Sequence, residues 1–543
     1  MLQTFLASAV GLAGLASATA CHPSTFSFPS ILGAEHVSTT ASEVRNYTAF
    51  RRRSHEAELL PPEGIAPFCN VTVSYTHPGH DDLVSVHVWL PLDRRSWNGV
   101  LLGVGGGGFV AGDVDGDAPS VRVHGGYVVA TTDAGHPGPE VWGLKTAGNV
   151  DWPGFVNFAH RSLHELAVVG KHTLREFYKE EERKSYFVGC STGGRQGLAL
   201  AQRYPGDFDG VLVMCPAVAF PAMVSALYYP QMVMQEKRWW PGACELAEVV
   251  KAVVEGCDDA DGVLDGVVGR LGECRSEEMV ERVVGREFEC AGVRGQVDER
   301  TVDVVKAVVR GLEDEEGRVM FPGYVPGTPM AGLLGLMNSI CEDENNRENC
   351  EGVPFPVTND WIRYFIRKDP SFELKTMDLR TYRDVFRQGV EEYDSIIGSS
   401  PDLRRFREKG GKVLMWHGMA DQCITVTAGR KLYEEAREMD ASRGVRTEDY
   451  WRYFEVPGVN HCMSLGRNAY PFDALERLRR WVEEGVAPEE LDGRKIVETE
   501  EGGKGLGEDV RRICRWPGEG VWDGKRWVCL MPGSRVKVER DEL

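Results

Sequence analysis

A chain of 543 residues is long for one domain, and 42% hydrophobic with 9% aromatic residues is ample for a large buried core. A formal net charge of −20 at pH 7 excludes the basic face that supplies most nucleic-acid affinity, and it disfavours anionic membrane surfaces equally. A neutral or weakly charged substrate suits such a surface better than a polyanion.

The chain opens Met1-Leu2-Gln3-Thr4-Phe5-Leu6 and runs through small apolar residues to Ala18-Thr19-Ala20. That pattern predicts a signal peptide over residues 1–20, cleaved after Ala20. No later stretch is long and apolar enough to span a bilayer. Fourteen cysteines suit a secreted protein, as do the sequons at Asn46 and Asn70. The end, Arg540-Asp541-Glu542-Leu543, is close to the K-D-E-L and H-D-E-L retrieval signals, and an acidic tail ending so by accident is the competing reading.

Strand-like patterns follow in order. Val71–Tyr75 and Val84–Leu90 alternate, and Gly99–Val104 and Tyr127–Thr132 are continuous apolar runs of the type found in a sheet covered on both faces. Phe158–Tyr178 has helical spacing, Tyr186–Val188 reads as a strand, a helix follows it, and Gly210–Met214 is another strand. Between about 219 and 398 the rhythm is lost in charged, cysteine- and aromatic-rich sequence, read as an insertion folding over the mouth of the sheet. Strand texture returns at Gly411–Gly418, then a helix near Thr427–Met439, the strand Trp451–Val456 and the helix Phe472–Glu484. The expected organisation is an α/β core over 21–218 and 399–543, interrupted by a lid over 219–398, with Cys514 and Cys529 stapling a polar tail.

Gly189-Cys190-Ser191-Thr192-Gly193 lies between a strand and a helix, the context in which G-x-S-x-G presents a nucleophilic serine on a sharp turn. An ordinary glycine-rich βα turn is the bland alternative. A serine hydroxyl needs an imidazole to take its proton and an acid to orient that imidazole. Asp421 and His461 each sit just past a later strand, in the chain order Ser–Asp–His. The run Gly105–Gly108 after the strand ending at Val104 offers a second oxyanion donor, at Gly107, beside the Thr192 N–H. Cys190 precedes Ser191 and Cys462 follows His461, so a bridge between them would tie nucleophile to base; Cys215 and Cys423 compete as partners.

These residues resemble the tannase and feruloyl esterase family, whose mark is a CS–D–HC arrangement with the triad bridged by the adjacent cysteines. Trp97-Asn98-Gly99, Asp133-Ala134-Gly135-His136, Arg161-Ser162-Leu163-His164-Glu165 and Trp481-Val482-Glu483 extend the likeness from about Cys69 to Cys529. The resemblance implies an α/β-hydrolase fold with a large lid, a catalytic triad of Ser191, Asp421 and His461, and the disulfide Cys190–Cys462. It also implies Cys257–Cys274 and a structural Ca2+ in the lid, held by Asp258, Asp261 and Asp265 and by the Val263 and Val267 carbonyls. Asp-Gly pairs are also ordinary turn sequence. Cys21–Cys69 and Cys514–Cys529 are further expected pairs, while Cys215, Cys244, Cys290, Cys341, Cys350 and Cys423 are left unassigned.

The expected function is a secreted serine esterase acting on phenolic-acid esters, feruloyl esters of plant cell-wall polysaccharide before galloyl esters of tannins. A catalytically inert binding protein and a serine peptidase on the same fold are the rivals. Trp239, Trp240, Phe321, Tyr324, Trp361 and Phe365 could stack on a phenolic ring, although core packing is the commoner fate of such residues.

Overall fold

The computed structural model describes residues 21–48, 56–61, 63–114, 116–136, 142–342, 347, 350–463, 468–499 and 503–534. The signal peptide and the Arg540–Leu543 end lie outside these. The scaffold is a nine-stranded sheet. Its strands are β1 (Glu35–Val44), β2 (Phe68–Thr76), β3 (Val84–Pro91), β4 (Val100–Val104), β5 (Val128–Thr132), β6 (Lys184–Cys190), β7 (Gly210–Met214), β8 (Lys412–Gly418) and β9 (Trp451–Val456). They lie in the order β1-β2-β3-β5-β4-β6-β7-β8-β9. Strands β1 to β3 pair antiparallel and β3 meets β5 antiparallel. From β5 through β9 every pairing is parallel.

Helices α1 (Asp117–His124), α2 (Ser162–Tyr178) and α3 (Thr192–Arg203) precede the insertion. Within it lie α4 (Phe220–Ala226), α5 (Tyr229–Lys237), α6 (Ala243–Cys257), α7 (Glu299–Arg310) and α8 (Leu379–Ile397). Helices α9 (Val426–Ser442) and α10 (Ala474–Glu484) complete the core.

The two-residue period of a strand explains the layering. Leu101, Phe187, Val211, Val213 and Met415 face one side, where Leu163 and Leu166 of α2 and Leu432 of α9 cover them. Their neighbours Leu102, Val188, Leu212, Leu414 and Trp416 face the other, under Val123 of α1 and Leu478 and Trp481 of α10. Each such side chain withdrawn from water stabilises the fold by about 1.5–3 kcal/mol.

Between Met214 and Lys412 no described strand joins the main sheet. This segment is more regular than its sequence suggests: it is largely helical, with short antiparallel pairs at Glu287–Gln296, Gly311–Pro322 and Ser339–Gly352. It has its own core around Leu246, Val249, Val304, Val305 and Val308. A second cluster is shared: Phe109, Phe155 and Phe158 of the sheet unit pack with Phe220, Trp361, Phe365 and Tyr393.

Six disulfides are formed: Cys21–Cys69, Cys190–Cys462, Cys244–Cys290, Cys257–Cys274, Cys341–Cys350 and Cys514–Cys529. Cys215 and Cys423 are free and buried.

Candidate active site

The parallel strands end on one rim. The register aligns Val104 with Val188, Cys190 with Met214, Met214 with Trp416, and Gly418 with Val456, so the loops after β4, β6, β8 and β9 emerge side by side. Functional groups of open α/β sheets gather at this edge.

Ser191 sits between β6 and α3 with φ 61° and ψ −123°, a left-handed conformation for a non-glycine residue. Such backbone costs about 1–3 kcal/mol and persists only where its surroundings impose it. Here the imposition is visible: Ser191 N–H donates to Met214 O at 3.0 Å, and Ser191 O accepts from Arg195 N at 3.1 Å and Ala217 N at 3.0 Å. The corner is too tight for side chains. A Cβ on Gly189 would lie 2.4 Å from Gly193 C, and one on Gly193 would lie 3.0 Å from Gly106 O.

The glycine run after β4 is pinned against this corner. Gly193 N–H donates to Gly106 O at 2.9 Å, Thr192 Oγ1 to Gly108 O at 2.6 Å, and Gly106 N–H to Gln196 Oε1 at 3.1 Å. Gln196 Nε2 reaches Ala111 O at 2.9 Å. Gly107 closes a tight turn, accepting from Val110 N at 3.0 Å. Thr192 is the first residue of α3, so its N–H has no acceptor within the helix.

Asp421 lies in the loop after β8 and His461 in the loop after β9; both are buried. Asp421 Oδ2 accepts from His461 Nδ1 at 2.8 Å, and Oδ1 accepts from Cys423 N at 2.9 Å and Ile424 N at 2.7 Å. Burial alone would raise the carboxyl, but the charge on His461 and the hydrogen bonds from His417 and His461 hold it well below the usual carboxylate range. His461 N–H donates to Gln422 Oε1 at 3.0 Å, and Gln422 Nε2 donates onward to Leu333 O in the insertion. The Cys190–Cys462 bridge brings its two Cα atoms to 5.9 Å, with Ser191 and His461 each one residue from it. A cavity of about 420 Å³ lies against this bridge, walled by Gly105, Gly106, Gly107, Gly189, Cys190 and Cys462; Ser191 and His461 are not among its walls.

Gln196, Gln422 and Arg195 had no signal as separate motifs, because each acts across the fold. Arg195, fully buried, donates from Nη1 to Ala159 O at 2.7 Å and from Nη2 to Phe158 O at 3.3 Å. Those carbonyls belong to the π-turn Asn157–Arg161 that leads into α2. Burial pushes this guanidinium down to about 9. Of the aromatic candidates, Trp361, Phe365 and Trp239 are packed in the core, whereas Trp240, Phe321 and Tyr324 are half-buried. Asn46 is exposed at the end of β1, while Asn70 lies mid-sheet with Oδ1 buried.

The acidic loop after α6 is compact. Asp258 Oδ1 accepts from Asp265 N and Val267 N, both at 3.1 Å, and Oδ2 from Gly266 N at 2.9 Å. Asp261 pairs with Arg511 Nη2, and Asp265 with Arg511 Nη1 at 2.9 Å. Asp261 and Asp265 thus share one guanidinium, while Asp258 is held by backbone N–H groups alone. Burial, with Asp265 and Asp258 adding to it against Arg511, pushes Asp261 up to about 6. A set of hard oxygen donors short of positive charge fits a calcium ion chemically. Two other clusters of ligand-type side chains, His77-His80-Asp82 and Cys215-His417-Asp421, are knit together by hydrogen bonds. Among the described residues no helix is long and apolar enough to cross a membrane.

The family described as tannase and feruloyl esterase matches residues 69–529. A probable feruloyl esterase of Arthroderma benhamiae is 36% identical over 486 residues, 88% of each chain. Feruloyl esterase C of Talaromyces stipitatus is 28% identical over 497 residues, 86% of each chain. Among solved structures, the tannin acyl hydrolase of Aspergillus niger superposes with a TM-score of 0.83 at 25% identity, covering 95% of each chain.

Proposed function

The chain belongs to the tannase and feruloyl esterase family, and on that premise we propose that it cleaves feruloyl-type esters through an acyl-enzyme on Ser191. It is a carboxylic ester hydrolase with an α/β-hydrolase fold, and phenolic esters are its substrate class. One observation carries the mechanism: the Asp421–His461 hydrogen bond stands one residue from a disulfide whose other end adjoins Ser191. With Nδ1 donating to Asp421, His461 keeps Nε2 free to take the Ser191 proton. The serine oxygen then attacks the ester carbonyl, and the N–H groups of Thr192 and Gly107 face the developing oxyanion. His461 returns the proton to the departing alcohol; water repeats the sequence and frees the acid.

Identity favours the hydroxycinnamoyl side, since the relative at 36% is named a probable feruloyl esterase. The half-buried aromatics Trp240, Phe321 and Tyr324 remain candidates to stack on the phenolic ring. A calcium ion held by Asp258, Asp261, Asp265 and the Val263 and Val267 carbonyls would neutralise the surplus acid and brace the loop, with no part in the chemistry. Six disulfides suit an oxidising, extracellular setting, with Arg540–Leu543 proposed as a retrieval address and Asn46 as a glycan acceptor.

Initial rates on methyl ferulate and methyl gallate, with fluorophosphonate labelling of wild type and Ser191→Ala, test this reading. Labelling and turnover confined to wild type, with ferulate the faster, are expected. Gallate turnover equal to or above ferulate would reassign the substrate, and an active Ser191→Ala would end the serine mechanism.

A further inference from the structure

Asp421 receives a second imidazole. His417, the penultimate residue of β8, is completely buried, and its Nε2 lies 3.1 Å from Asp421 Oδ2 and 3.0 Å from Ile424 O. Both neighbours are acceptors, so Nε2 carries a proton and donates to them. Nδ1 has no partner. It is walled off by Gly429 of α9, where a Cβ would lie 2.8 Å away. A second proton there would be a buried, unpaired donor on a charged ring, which is costly. His417 is therefore the neutral Nε2–H tautomer.

We propose that His417 is a positioning residue for ester hydrolysis, a neutral donor that shares Oδ2 of Asp421 with His461 and thereby fixes both the direction of the carboxylate and the basicity of His461. The inference rests on the triad reading above. With Oδ1 held by the Cys423 and Ile424 N–H groups, and His417, His461 and the Cys215 thiol also hydrogen-bonded to it, the carboxylate cannot rotate. It also draws charge from the oxygen that stabilises imidazolium at His461.

The other groups around this pair are accounted for. Burial pushes the Cys215 and Cys423 thiols well up, so both stay protonated, and Cys215 also hydrogen-bonds to Asp421. The Tyr324 hydroxyl from the insertion donates to Cys423 O at 2.8 Å and is likewise pushed up by burial. On β9, Glu455 stands in register with His417 and is closed in a two-point pair with Arg430 of α9, both bonds 2.7 Å.

The test is the pH profile of kcat/KM for methyl ferulate in the full disulfide-bonded protein. Glutamine places its amide nitrogen where the imidazole Nε2 stands; leucine fills the space without a donor; asparagine is polar but too short to reach Oδ2. Removing the donor leaves more charge on Oδ2 for His461, which then protonates at higher pH. We expect the acid limb to move up by about half a unit or more in His417→Leu and His417→Asn. His417→Gln should keep the wild-type limb. The far-downfield proton of the His461–Asp421 hydrogen bond should shift in the first two variants and stay in the third. Loss of rate with an unmoved limb and an unmoved proton signal in His417→Asn would reduce His417 to packing, even if His417→Leu fails to fold. Hydrolysis surviving in Ser191→Ala would instead sink the triad reading itself, whatever His417 does.

Discussion

Raising the pH from 7 to 10 should remove about 3 kcal/mol of stability through one histidine. His77, just past β2, is buried between two carboxylates: Nδ1 lies 2.7 Å from Asp82 Oδ2, and Nε2 lies 2.9 Å from Glu165 Oε1 on α2. Burial alone would lower it, but the hydrogen bonds to Asp82 and Glu165 outweigh that and push His77 up to about 9 from 6.5. A histidine whose folded value is raised contributes fully below its unfolded value and loses the contribution as pH climbs through the folded one. Here the contribution is complete below about 6.5 and gone above about 9. A shift of roughly 2.5 units corresponds to about 3 kcal/mol, and unfolding entropy of about 2 cal/mol/K per residue turns this into about 3 °C of Tm for a chain of this size. Thermal melts of wild type and His77→Gln every half pH unit provide the assay. The variant should melt lower at pH 6–7, and the gap should close by about 3 °C toward pH 10. Two curves running parallel across that range would refute the assignment of a cationic His77.

Reducing Cys190–Cys462, or replacing both cysteines by alanine, should lower kcat/KM about 100-fold while far-UV circular dichroism changes little, because Ser191 and His461 lose their fixed spacing. The bridge lines a cavity, so dithiothreitol can reach it; full activity in the double variant would count against it. Gln196→Ala unpins Gly106 and Ala111, and kcat should fall about tenfold to a hundredfold with KM almost unchanged, read from steady-state rates on methyl ferulate. Calcium at a hundred times its Kd should stabilise the chelator-treated protein by about 2.7 kcal/mol by melting, and Asp258→Asn should not respond. A wild type indifferent to both chelator and calcium would empty that loop.

The catalytic candidates were legible because each sits in a short local pattern: a glycine-flanked serine after a strand, and an acid and a histidine just past two later strands. The parallel strands were legible too, since burial on both faces leaves unbroken apolar runs such as Val128–Thr132 and Gly210–Met214. Strand β1 was missed because almost nothing in it is buried; an exposed edge strand of Ser, Thr and Glu carries no alternation. The helices of the insertion were hidden by their charge, although α7 buries Val302, Val304, Val305 and Val308 along one side. His417 lay four residues before Asp421 in plain view. Its meaning required the backbone to turn the loop back on the strand.

Every disulfide of the insertion closes within it, at Cys244–Cys290, Cys257–Cys274 and Cys341–Cys350, while Cys190–Cys462 spans it from outside. A protease that severs one peptide bond in the exposed loops between those inner pairs therefore liberates nothing. The clipped protein keeps its two rim loops roped together and migrates as one species until a thiol is added, when it separates into two fragments on a gel. An enzyme working among foreign proteases can thus survive being nicked.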